Sequence, residues 1–298
     1  MFDLRYHVAS LAAVFIALVV GILVGVGISG RGFVDDVERD RLNEDIAELR
    51  EALDAANERA SDFERRQEAA QEFVESAYPV LVENRLAGKR VAVLVVGSFD
   101  PTLEAVTDLV GEEAGGSLAR VRAVRVPLPV EEVESRLESN PDFGGYVGQD
   151  ELGNLGRDLG RELVTGGASP LWDALAPDLL EQRAFEGVEE ADAVVVIRSV
   201  EPQQAETAAF LAGLYSGVAS LGKPAVGVEP SRVVQSAIPV FQRHSLSTVD
   251  GVDTPVGRLA LVLVLAGAGN TGDYGVRDTA DDGILPPIEP LPQPAAGG

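Results

Sequence analysis

The sequence predicts an α/β protein with a single N-terminal transmembrane helix, a coiled-coil stalk and a Rossmann-like three-layer domain on a mostly parallel sheet. Three observations predict it. Val8 to Ile28 contains no charged residue and is almost wholly apolar. From Leu42 to Ala77, apolar or small residues recur at alternating steps of four and three. Beyond residue 88, short valine-rich runs alternate with helix-length segments, the pattern of a parallel sheet covered on both faces. The expected boundaries are 1–32 for the anchor, 33–78 for the coiled-coil helix, 88–270 for the α/β domain and 271–298 for a proline-rich tail.

As a helix, the apolar run spans about 32 Å at ~1.5 Å per residue, matching a hydrocarbon core of about 30 Å. A signal peptide's apolar stretch runs only ~7–15 residues, and no A-x-A cleavage site follows here. A retained anchor is therefore expected. Ala9, Ala13, Ala17, Gly21, Gly25 and Ser29 recur every four residues. Small residues in that register let helix backbones approach closely, so Ala13, Ala17, Gly21 and Gly25 are candidate oligomerisation positions. Arg5 precedes the span, whereas Arg31, Arg39 and Arg41 follow it. That count does not place the amino end in the cytoplasm and mildly favours the reverse.

The stalk repeat runs Leu42, Ile46, Leu49, Leu53, Ala56, Ala60, Phe63, Gln67, Ala70, Val74, Ala77. Heptads sustained over that length point to a coiled coil. Leu42, Ile46, Leu49 and Leu53 are its best core residues. The second half is alanine-rich, and a lone amphipathic helix packed on its own domain is the alternative. With Ile46 at a, Asp45 faces Arg50 and Arg59 faces Glu64, pairings that favour parallel strands. Tyr78-Pro79 is expected to end the helix.

In the domain, Val91–Val96 reads as a central strand. Asp100-Pro101 then starts a helix, as N-cap and first-turn proline. Residues 121–126 read as a strand, and 131–138 and 151–164 as helices. Ala193–Ile197 is a second buried strand, followed by a helix over 203–219 and a short strand over 223–228. Residues 258–266 close the domain as a helix too short to span a bilayer. The glycine-rich stretch 144–167 predicts a flexible loop and a loosely packed helix. The tail, with Pro286, Pro287, Pro290, Pro292 and Pro294, predicts extended or disordered chain.

Composition excludes several chemistries. The net charge is −24, from 48 acids against 24 bases, so nucleic acid is excluded as a partner. With no cysteine, disulfides, thiolate metal sites and a cysteine nucleophile are ruled out. The first strand ends in Gly97-Ser98-Phe99-Asp100, where a dinucleotide fold would carry G-x-G-x-x-G. There is no Walker A motif and no G-x-S-x-G elbow. The only histidines are His7 and His244. A non-enzymatic protein is expected, with no cofactor motif. The default ligand crevice, at the carboxyl ends of parallel strands, would gather Ser98, Asp100, Arg198, Glu201 and Glu229. A structural ion pair is the competing role for Arg198.

Three segments together resemble a known family. They are MFDLRYHVASLAAVFIALVVGILVG at the start, Ser247–Gly267, and Gly272–Pro287. The chain is similar over nearly its whole length to the mycobacterial copper transport protein B family. The resemblance implies a single-pass membrane protein of the cell envelope, with its α/β domain outside the cytoplasm and a role in copper homeostasis. Copper enters only through this resemblance. Cu(I) prefers Cys and Met sulfur and Cu(II) prefers imidazole, which leaves His244 as the candidate metal ligand. A homo-oligomer built through the transmembrane and stalk helices is expected. Two alternatives stay open: an envelope scaffold or assembly factor, and a small-ligand-binding α/β domain.

Overall fold

The computed structural model describes residues 4–29, 34–267 and 271–289. Gly30-Arg31-Gly32 and tail prolines Pro290, Pro292 and Pro294 lie outside the described residues. The chain forms two units, residues 1–70 and 71–298. In the first, α1 (Leu4–Ser29) contains the one stretch among the described residues long and apolar enough to cross a membrane, Ala9–Val26. Residues 9–26 are exposed throughout, and a Cβ placed on Gly21 or Gly25 would meet no other atom within 4 Å.

Helix α2 (Val34–Val82) is 49 residues long. Leu42, Ile46, Leu49 and Leu53 are all exposed on the single chain, between 43% and 68%. The expected stop at Tyr78-Pro79 is corrected, because Pro79 lies inside the helix. Val82, 1% exposed, and Leu86, fully buried, pin this end of the chain into the domain. Their burial outweighs the one hydrogen bond a proline removes.

The second unit is built on seven strands: β1 (Arg90–Val96), β2 (Ser117–Val124), β3 (Leu180–Glu186), β4 (Ala193–Arg198), β5 (Ala225–Glu229), β6 (Ser247–Asp250) and β7 (Asp273–Tyr274). Their order is β3-β2-β1-β4-β5-β6-β7, so chain order reverses between β1 and β4. Every pairing is parallel except that of β3 with β2. Strand side chains alternate between faces, and β1 feeds two cores. Ala92, Leu94 and Val96 enter one cluster, and Val91, Val93 and Val95 the other.

The first core is covered by α4 (Val130–Glu138), α5 (Leu152–Thr165), α6 (Pro170–Leu179), α7 (Ala205–Ala219) and α8 (Ile238–Arg243). The second is covered by α3 (Pro101–Asp108), α9 (Pro255–Leu265) and the end of α2. As expected, Asp100 caps α3, its carboxylate accepting from the Thr102 and Leu103 amides, with Pro101 in the first turn.

Two further expectations are corrected. The glycine-rich stretch is not loosely packed, because α5 and α7 cross backbone to backbone. A Cβ on Gly156 would lie 2.1 Å from the Phe210 carbonyl oxygen, and one on Gly160 would lie 2.4 Å from that of Leu214. The contact is reciprocal, with Gly213 on the Gly153 carbonyl at 2.0 Å and Gly217 on that of Arg157 at 2.1 Å. The glycines are there to permit this approach. Part of the tail joins the domain: β7 extends the sheet, and Leu285 packs on the second core.

Beneath α5 and α6, β2 turns two arginines into the first core. Arg120 is 1% exposed, and its guanidinium donates to the carbonyls of Glu162 and Leu163 at the end of α5 and to those of Gly187 and Glu189. Arg122 pairs with Glu186 at 2.8 Å and lies 4.9 Å over the Trp172 ring.

Candidate functional site

The crevice expected at the carboxyl ends of the strands exists, but its centre is closed. Gly97, at the end of β1, has φ +109°, a conformation that favours glycine. A Cβ there would lie 2.5 Å from the Ser199 hydroxyl and 2.6 Å from Val200. The same hydroxyl donates to the Ser98 carbonyl at 2.8 Å. Ser199 and Val200 thus occupy the reversal point where open α/β sheets usually receive a nucleotide.

What remains open lies to one side. A cavity of about 590 Å³ is lined by Asp100, Arg198 and Glu201, with Gln203, Val234 and Gln235. The structure therefore brings three of the five crevice residues together. Ser98 contributes its carbonyl to Ser199 and does not line the cavity. Glu229 is 2% exposed and fully engaged. Its carboxylate accepts from the Ser236 hydroxyl at 2.9 Å and the Ala237 amide at 2.8 Å, and it pairs with Arg277 at 3.3 Å. Glu229 is a structural residue.

Arg277 belongs to the Gly272–Pro287 segment, and its position explains that motif. The Asp250 carboxylate, 3% exposed, accepts from the Val276 and Arg277 amides at 3.1 Å. Gly275 passes so close that a Cβ would lie 2.1 Å from the Asp250 carboxylate. Arg277 also donates to the Ser231 carbonyl at 2.9 Å. The motif is a clasp holding β7 and the loop after β5 onto β6. Arg277→Gln should cost about 2 kcal/mol, less than breaking a fully buried pair costs, because the Arg277 side chain is 30% exposed and Glu229 keeps two other donors. A cycle with Glu229→Gln should recover at least about half of that loss in chemical denaturation. Full additivity of the two changes would show that the ion pair does not hold the clasp.

His244 follows α8. Its Nδ1 lies 3.5 Å from the Ser216 hydroxyl and its ring 5.9 Å from that of Tyr215. Burial, then the Arg243 guanidinium, pushes its pKa below the usual histidine value. It shares a second cavity, of about 170 Å³, with Arg198, Arg243 and Tyr215. Among the described residues, no group of three or more His, Asp or Glu is placed to hold a metal. A lone imidazole in a cavity that two guanidinium groups also line does not fit a copper ion, whose charge those groups oppose. The His7 side chain lies outside the described residues. Sequence reasoning missed Ser199, Tyr215, Arg243 and Arg277 around these sites. Only Arg277 stood in a segment that had been singled out.

Comparison with known proteins adds a family. The model of a family described as copper transport outer membrane protein, MctB, matches residues 1–285. Relatives named copper transporter MctB, from Mycobacterium tuberculosis and Mycobacterium bovis, are 25% identical over 307 residues, covering 92% of this chain and 96% of theirs.

Proposed function

The chain belongs to the MctB family of copper transport outer membrane proteins, and from that premise we propose that it serves copper handling in the cell envelope as a membrane-anchored, self-associating protein without enzymatic activity. The observation that carries this reading is the family match across residues 1–285. The α/β domain, Rossmann-like in its strand order, stands outside the cytoplasm in this reading, and α1 crosses the membrane once.

Two features support self-association. The small-residue face of α1, Ala13, Ala17, Gly21 and Gly25, is exposed among the described residues. The leucine-rich seam of α2 is exposed in the same way. Apolar seams of that kind are buried by a second helix in a parallel coiled coil, and the Asp45–Arg50 and Arg59–Glu64 pairings favour a second copy of this chain. Copper is a substrate in this reading. From Leu11 to Ile28 the helix has no polar side chain, so a pore lined by α1 alone would offer a cation no ligand. The role that fits is to assemble or position a copper-handling complex.

Two measurements test this. Cells lacking the protein should show altered copper content and tolerance, and unchanged values would remove the copper role. The detergent-solubilised full chain should sediment as an oligomer, and Leu49→Glu with Leu53→Glu should shift it to smaller species. A monomeric wild-type chain would remove the association.

A further inference from the structure

The 170 Å³ cavity between α7 and α8 has a wall unlike the rest of this molecule. Arg198, Arg243 and His244 line it, on an apolar floor that includes Leu211 and Val240, and no Asp or Glu does. In a chain of net charge −24, such a wall attracts anions.

Tyr215 supplies the second observation. It lines the cavity and is 1% exposed, yet its hydroxyl has no hydrogen-bond partner among the described residues. A phenolic hydroxyl left open in this way can donate to a ligand in the cavity. Its ring stands edge-on to Phe241, with centroids 5.4 Å apart and planes at 82°. Burial raises its pKa, opposed by the nearby Arg198 charge. The group therefore stays a neutral donor at physiological pH. Arg198 donates once, to the Gln235 carbonyl at 3.1 Å, and a guanidinium has five N–H donors.

Volume narrows the ligand. An apolar cavity of about 150 Å³ accommodates one benzene ring, and this one, at about 170 Å³, has room for little more. We propose that this cavity binds a small organic carboxylate with a compact apolar body, its carboxylate held by Arg198 and the Tyr215 hydroxyl and its body set against Leu211 and Val240. A metal cation is disfavoured by the two guanidinium groups. The site is independent of the copper reading.

The test uses the full chain in a neutral detergent, titrated calorimetrically with benzoate, benzamide and inorganic phosphate. Benzoate should bind saturably at one site. Benzamide, lacking the charge, should bind about tenfold more weakly or worse. Tyr215→Phe should weaken benzoate about tenfold and Arg198→Gln by more, as losing a hydrogen bond to a charged group predicts. Tyr215→Phe removes only an unpaired hydroxyl, so its unfolding temperature should not fall. Should it fall, Arg198→Gln at the cavity rim carries the comparison. Failure of benzoate to saturate, tighter binding of phosphate than of benzoate, or benzoate affinities within about twofold of wild type in both variants would overturn the proposal.

Discussion

Arg120→Met should destabilise the α/β domain by about 4 kcal/mol, read as a shift of the denaturant midpoint of the solubilised chain. The variant deletes the donors for the carbonyls of Glu162, Leu163, Gly187 and Glu189. A buried polar group left without its partner costs about 1–3 kcal/mol, and part of that returns through burial of the methionine. A cation at the end of α5 is also lost, where the helix dipole favours positive charge. Burial pushes the Arg120 pKa down, yet a guanidinium keeps its proton at any ordinary pH. Arg120→Lys should recover less than half of the loss, because a point charge on a flexible stem cannot reach both groups of carbonyls. A methionine variant as stable as wild type would show that those carbonyls find water instead.

Gly213→Val should cost about 3 kcal/mol, because its Cβ would sit 2.0 Å from the Gly153 carbonyl oxygen, a clash with backbone that no rotamer relieves. For a unit of this size, that loss lowers the melting temperature by roughly 6–12 °C. Gly153→Ala is the control. Its Cβ would meet the Ala209 carbonyl at 3.7 Å, an ordinary contact, and alanine is the better helix former by about 1 kcal/mol. It should be neutral or stabilising. Equal losses at both positions would mean that glycine serves α5 and α7 in some way other than close approach.

These two sites also show where the sequence was legible and where it was not. β1 and β4 were read directly, because a strand buried on both faces is a continuous apolar run. β2 began four residues earlier than expected, because Arg120 and Arg122 interrupt its apolar pattern while being buried themselves. β3 escaped notice, since an edge strand with Glu181, Arg183 and Glu186 exposed has no apolar face to betray it. The glycines of α5 read as loose packing because intrinsic propensity penalises them, and their compensation lies in α7, some 55 residues away in sequence. Asp100, Arg198 and Glu201 line one cavity, a placement that follows from topology, since it lies at the carboxyl ends of the strands. Glu229 was misplaced because its partner, Arg277, lies in a tail expected to be disordered.

The reversed strand β3 has a consequence for crowding. Under the self-association proposed above, the sheets would stand at an effective concentration of order millimolar, where bare sheet edges would zip into filaments. One edge ends in β7, only two residues long. The other is β3, whose pairing with β2 shifts register twice and whose Phe185 takes φ +54° at a bulge beside Glu186. An edge broken in that way, carrying charge of both signs, cannot template a straight neighbour. Domains crowded together on one membrane would remain separate particles, leaving lateral organisation to the helices alone.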